Sequence, residues 1–137
     1  MELDQVKKFF AKDKYATETT GIEILEADGG RSKIQLKLDE RHKNALGFTM
    51  GAVYFTMADF AFAVATNSSP ENNVASVTLT SSISMMNSAK SDLLFAEAFP
   101  LKDGRSSSFY QIDIYEFLDG KKRPIAVAQT TGYKVRK

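Results

Sequence analysis

The chain has 137 residues, which at about 150 residues per domain corresponds to one domain spanning 1–137. Lys and Arg number 18 against 17 Asp and Glu, a net charge of +1, and this balance lacks the basic excess of a nucleic-acid binder. With no cysteine, no tryptophan and a single histidine, His42, the chain cannot build a disulfide framework, a cysteine nucleophile, a thiolate zinc site or a His-rich metal site.

Met1 to Lys8 carries no apolar signal core, so a cytoplasmic location is expected. Leu3, Val6, Phe9 and Phe10 recur at helical spacing and predict an amphipathic helix over about 2–12. Ile22 and Ile24, a turn at Asp28-Gly29-Gly30, then Ile34, Leu36 and Leu38 predict a hairpin. Asp39 to Thr49 is polar and reads as a loop. The run from Met50 to about Asn67 is Ala-rich, Met-rich and free of Pro, and predicts a long helix ended by Ser68-Ser69-Pro70. It is short for a membrane span, and Asp59 at its middle would be costly in lipid. After Pro70-Glu71-Asn72-Asn73 the period becomes two. Ala75, Val77, Leu79, Ile83 and Met85 are expected on one strand face, with Ser76, Thr78, Thr80, Ser82 and Ser84 on the other. Leu93–Leu101 predicts another strand. The turns Asp103-Gly104 and Asp119-Gly120 link the last three strands as a meander. Hairpins without βαβ alternation indicate an α+β fold, its curved antiparallel sheet wrapped around the long central helix.

At 100° per residue Ala52, Thr56, Asp59, Ala63 and Thr66 fall within an arc of roughly 80°. This stripe is small or polar, with Phe55 and Phe62 beside it. It reads either as a solvent strip or as a cleft with Asp59 on its floor, where burial would strengthen the carboxylate as a base. Asn44-Ala45-Leu46-Gly47-Phe48-Thr49-Met50-Gly51 leads into the helix start, whose unpaired N–H groups suit a developing oxyanion. Gly51 also permits close approach to the backbone, although Gly47 and Gly51 equally fit a tight turn. Gly51 and Asp59 are separated by about 12 Å of helix at ~1.5 Å per residue. One carbonyl cannot meet both on one chain. Joint action therefore requires a symmetric dimer with composite sites.

The stretch from His42 to Gly51-Ala52, continuing to Asp59-Phe60-Ala61-Phe62, resembles the PaaI-like (phenylacetate-degradation type) hotdog-fold acyl-CoA thioesterases. It is similar to their H-x-N-x-x-G-x-x-H-G-G pattern followed by D-x-A-F. Val77–Ser84, Asn87-Ser88-Ala89 and Gly104-Arg105-Ser106 resemble later parts of the family, and the likeness covers roughly 20–135. The resemblance implies a hotdog fold acting on an aryl-acetyl or short- to medium-chain acyl-CoA. Asp59 would be base or nucleophile, and the Gly51 N–H would polarise the carbonyl. Asn44 would position the carbonyl or water, and Thr78 would orient water or Asp59. It implies a homodimer, with Asp and Ser/Thr from one subunit and Asn and Gly from the other, and dimers pairing into a homotetramer. No cofactor is implied beyond the coenzyme A of the substrate.

Two positions depart from the pattern: H-G-G is Met50-Gly51-Ala52 here. Met50 removes a polar group beside Asn44 and Ala52 adds a methyl, so both bear on rate and acyl preference. Substrate contacts are expected from Met50, Phe55 and Phe62, with Met57 and Phe60 as further pocket or core residues. His42 is read as a loop or phosphate-side residue. Lys90 and Arg105 are candidates for the phosphates of coenzyme A, with Arg41, Lys134, Arg136 and Lys137 beside them; a solvated surface explains any single one equally well. A non-catalytic acyl-CoA-binding protein and a hotdog hydratase stand as alternatives to the thioesterase.

Overall fold

A computed structural model describes residues 1–69 and 74–136. The expected turn at 70–73 and the basic residue Lys137 lie outside them.

Helix α1 (Leu3–Phe10) turns Val6 and Phe10 inward and ends two residues before the expected limit. A π-helical turn, Tyr15–Thr20, then buries Ala16 and Thr20. Its sequence, Tyr-Ala-Thr-Glu-Thr-Thr, has no apolar period and no element was predicted there. Strands β1 (Glu23–Asp28) and β2 (Arg31–Lys37) form the predicted hairpin, pairing Asp28 with Arg31 across the turn. A 3₁₀ turn at Glu40–His42 precedes α2 (Gly51–Asn67), the predicted long helix. Strands β3 (Val74–Met85), β4 (Leu93–Asp103), β5 (Ser107–Leu118) and β6 (Lys121–Arg136) complete the chain. Asp119 and Gly120 both hold positive φ, 52° and 76°, as a two-residue hairpin turn demands.

The six strands form one antiparallel sheet in the order β1-β2-β4-β5-β6-β3. α2 is apolar on most of its circumference and buries Val53, Met57, Ala61 and Val64 against the sheet. Ala96, Ala98, Ala126 and Ala128 face it from the strands, and their small side chains leave room for the helix. The Ser32 hydroxyl donates to the Ala61 carbonyl at 2.7 Å, a buried tie between sheet and helix. Among the described residues, no helix is long and apolar enough to cross a membrane.

Strand β3 departs from the expected alternation. Its register against β6 slips between Thr78 and Thr80, so Thr78 pairs with Gly132 and Ser81 with Thr130. A bulge moves the following residues to the opposite faces. Ile83 then packs on the core, while Val77 and Leu79 stay exposed. The single apolar face over Ala75, Val77, Leu79, Ile83 and Met85 does not form.

Opposite Thr78, Gly132 leaves a gap that Phe62 fills: a Cβ built there would lie 2.4 Å from Phe62 Cζ. Phe62 is buried and meets Tyr110 edge-on, so it has no free direction to retreat. Gly132→Ala is expected to cost about 2 kcal/mol through overpacking, read as a lower urea midpoint. Adding Phe62→Leu should recover part of that loss, because the two positions share one space.

Candidate active site

The helical stripe lies where periodicity put it. Ala52, Phe55 and Asp59 are exposed on this chain, and Thr56, Ala63 and Thr66 are half-buried. The Thr78 hydroxyl donates to Asp59 Oδ1 at 3.0 Å. The bulge in β3 follows directly after Thr78. Asp59 is thus oriented by its own chain but not covered by it.

Gly51 opens α2, and Met50 supplies no side-chain cap. The first turn closes with Val53 N–H on the Met50 carbonyl at 3.0 Å. The Gly51 and Ala52 N–H groups have no intrahelical acceptor, as in any helix start. A Cβ on Gly51 would meet Met85 Cε at 3.0 Å. Close approach is therefore real at Gly51, and within the chain it is made by a methionine. Met50, Met85 and Met86 are all about half exposed in this sequence region.

Asn44 is held by its own loop. Its Oδ1 accepts from the N–H groups of Leu46 (3.0 Å) and Phe48 (3.1 Å). The amide is thereby oriented, and its Nδ2 remains to donate. His42 is buried and both ring nitrogens are engaged. Nδ1 accepts from the Asp39 N–H at 2.9 Å, so Nε2 carries the proton and donates to the Thr20 carbonyl at 2.7 Å. The His42 carbonyl accepts from the Met50 N–H at 2.8 Å. His42 thus clamps the π-helical turn to the approach of α2, and neither nitrogen is left for a ligand.

Of the expected pocket residues, Phe55 is exposed beside Asp59 and Phe60 is buried with an edge in the adjoining cavity. Phe62 does not line the site; it points beneath β6. The cavity next to Asp59 has about 540 Å³ and is lined by Asp13, Tyr15, Phe55, Asp59, Phe60 and Ala63, among others. Asp13 and Tyr15 were not predicted, because their segment carries no motif and no periodicity. Partial burial first, then the charge of Asp59, raises the Asp13 carboxyl above its ordinary pKa. A second cavity of similar size, near Gly30, Ser68, Asp103 and Tyr110, does not include Asp59.

Lys90 and Arg105 are both exposed but far apart. The Lys90 N–H bonds Glu116 at 2.9 Å near one end of β5, while Arg105 precedes Ser107 at the other. Nine positions of strand at ~3.3 Å put these ends about 30 Å apart. Arg105 lines a groove with Lys134 and Arg136. Met85, against Gly51, pairs with Ala126 on β6, whereas Thr78, at Asp59, pairs with Gly132. Gly51 and Lys90 thus share one end of the molecule, and Asp59 and Arg105 the other.

The sequence model of the thioesterase superfamily matches residues 46–119, more than half of the chain. The chain belongs to this superfamily. The matched span begins within the Asn44 loop and includes α2 with Gly51 and Asp59, and β3 with Thr78. A relative from Archaeoglobus fulgidus, named "Putative esterase", is 29% identical over 134 residues, 97% of this chain and 83% of that protein. A thioesterase family protein from Silicibacter pomeroyi has a TM-score of 0.87 at 25% identity, with 98% of each chain covered. The E. coli PaaI protein from the phenylacetic acid degradation operon has a TM-score of 0.78 at 22% identity, covering 98% of this chain and 96% of that one. The chain shares the hotdog fold of these structures, PaaI among them.

Proposed function

We propose that this superfamily member is an acyl-CoA thioesterase whose site forms between two copies of the chain. The observation that carries the reading is the division of the machinery along α2. An oriented carboxylate, Asp59 held by Thr78, lies about 12 Å along the helix from the open N–H groups at Gly51. Two α2 helices packed antiparallel bring Asp59 of one copy to Gly51 of the other. The same operation brings Arg105 toward the Lys90 end of the partner, so the phosphates of coenzyme A can bridge both subunits. β3 supports this arrangement, being a 12-residue edge strand with one side unpaired and thus a template for its own copy. Leu46, Phe48 and Met50 are exposed on the loop before α2 and would be covered by the partner. Pairing of dimers into tetramers and a cytoplasmic location complete the proposal.

The Gly51 N–H and Asn44 Nδ2 donate to the thioester carbonyl and stabilise the oxyanion as it develops. Asp59 of the other copy accepts a proton from water, whose oxygen adds to the acyl carbon. The C–S bond then breaks, and coenzyme A leaves as the thiolate and takes up a proton. Asp59 can instead attack directly, forming a mixed anhydride that water opens. Single turnover in ¹⁸O-water tests the second route, since label enters the Asp59 carboxyl only when water opens the anhydride at the Asp59 carbon.

Thiol release from short-chain, medium-chain and phenylacetyl-CoA should be detected with a thiol reagent. No release from any of them would overturn the enzyme reading and favour an acyl-CoA-binding protein, in keeping with Met50 and Ala52 in the motif. Size-exclusion chromatography at micromolar concentration should show a dimer or tetramer; a strict monomer would refute the composite site.

A further inference from the structure

The segment between α1 and β1 is built against the candidate site. The Thr17 N–H and hydroxyl both donate to the Asp13 carbonyl, at 2.9 and 3.0 Å. Arg41 Nη1 donates to the Thr19 carbonyl at 3.0 Å, and His42 holds Thr20. Asp13 and Tyr15 therefore stand at set positions in the wall of the cavity that also holds Asp59, Phe55, Phe60 and Ala63. A volume of about 540 Å³ lies within the range of small-molecule sites. Lys14 lines the same cavity, but its ammonium is taken by Glu18 at 2.8 Å. The cavity thus pairs an aromatic wall with two carboxyl groups, and its lysine is ion-paired with Glu18.

We propose, on the basis of the thioesterase reading above, that Asp13 is a specificity-determining residue. With Asp59 it makes the acyl pocket admit neutral acyl groups and turn away those ending in a carboxylate. An incoming carboxylate meets like charge from Asp13 and Asp59 and loses water against Phe55 and Phe60. A neutral chain or ring meets only the apolar wall. The mutual influence of the two carboxyls is already visible in the raised Asp13 carboxyl, to which Asp59 contributes after partial burial.

The test compares hexanoyl-CoA with adipoyl-CoA, which have the same chain length and differ by a terminal carboxylate. Wild type should strongly prefer hexanoyl-CoA in kcat/KM. Asp13→Asn should narrow that preference by about tenfold, the effect of one nearby charge in a partly wet site, with the change carried mainly by the KM for adipoyl-CoA. Asp13→Lys should narrow it further. Asp4→Asn removes the same charge from exposed α1, outside the cavity, and should leave the ratio unchanged. Calorimetry with the non-hydrolysable thioethers S-hexyl-CoA and S-(5-carboxypentyl)-CoA should show the same discrimination without turnover. Equal use of both thioesters by wild type, or an unchanged ratio in Asp13→Asn, would overturn the inference while leaving the thioesterase reading intact. No turnover but charge-dependent thioether binding would overturn the thioesterase reading and support the role of Asp13. The absence of both turnover and thioether binding would overturn both.

Discussion

Asp59→Ala should lower kcat for acyl-CoA hydrolysis by about 10³-fold, the usual scale for a positioned acid–base group, while leaving the unfolding midpoint almost unchanged. The stability part follows from place. Asp59 is exposed on α2 and its side-chain partner is the exposed Thr78, so little packing is lost. The catalytic part follows from orientation: Asp59 is the carboxylate held by Thr78, and the single histidine cannot replace it because His42 is buried and fully engaged. Asp59→Asn keeps the shape and an acceptor for Thr78 but loses the base, and should be equally inactive. Thr78→Ala leaves the carboxylate but frees its orientation, for a loss of about tenfold. The proposed composite site makes a further demand: mixing Asp59→Ala with Asn44→Ala under subunit exchange should restore activity, since each hybrid dimer would hold one intact site. Full activity in Asp59→Ala, or no rescue in a mixture shown to exchange, would contradict the mechanism.

Glu116→Ala should cost about 3 kcal/mol of stability, measured as a lower denaturant midpoint with a two-state slope. Glu116 is fully buried on β5. It accepts from the N–H groups of Lys90 (2.9 Å) and Ser91 (2.8 Å) and from Arg123 Nη1 (2.8 Å). Truncation leaves three donors facing a cavity, one of them charged. Glu116→Gln keeps the size and an acceptor oxygen, and should cost clearly less. The bonds to Lys90 and Ser91 also tie down the loop after Met85, which packs on Gly51. Both variants should therefore raise the KM for acyl-CoA before they affect kcat. An Ala variant as stable as wild type would show that the loop does not depend on this buried carboxylate.

The placing of the candidate residues along α2 was legible because it rests on short-range geometry. The helical repeat placed Ala52, Thr56 and Asp59 on one stripe, and the rise per residue set Gly51 and Asp59 too far apart for a single carbonyl. Positions seven apart on a helix, such as Phe55 and Phe62, differ by only about 20°. Yet Phe55 is exposed while Phe62 is buried under Gly132. That difference is set by how far β6 wraps around the helix, which no helical wheel contains. The slip after Thr78 was equally invisible, since a bulge depends on how β3 meets β6 and not on the alternation within β3.

The motif match read His42 as a loop or phosphate-side residue; two backbone partners, one of them 22 positions away, fix its ring in the structure. The segment Asp13–Thr20 shows the same limit. Its polar run has no period to read, and only the approach of distant chain brings Asp13 beside Asp59. By itself the sequence determined the α+β order of elements and the outward face of α2, because local periodicity and spacing encode these, and it carried the motif that resembles the family. The tertiary structure decided which aromatic faces the site, which carboxylate joins Asp59, and that Lys90 and Arg105 stand at opposite ends, because each depends on contacts between residues that the chain order keeps far apart.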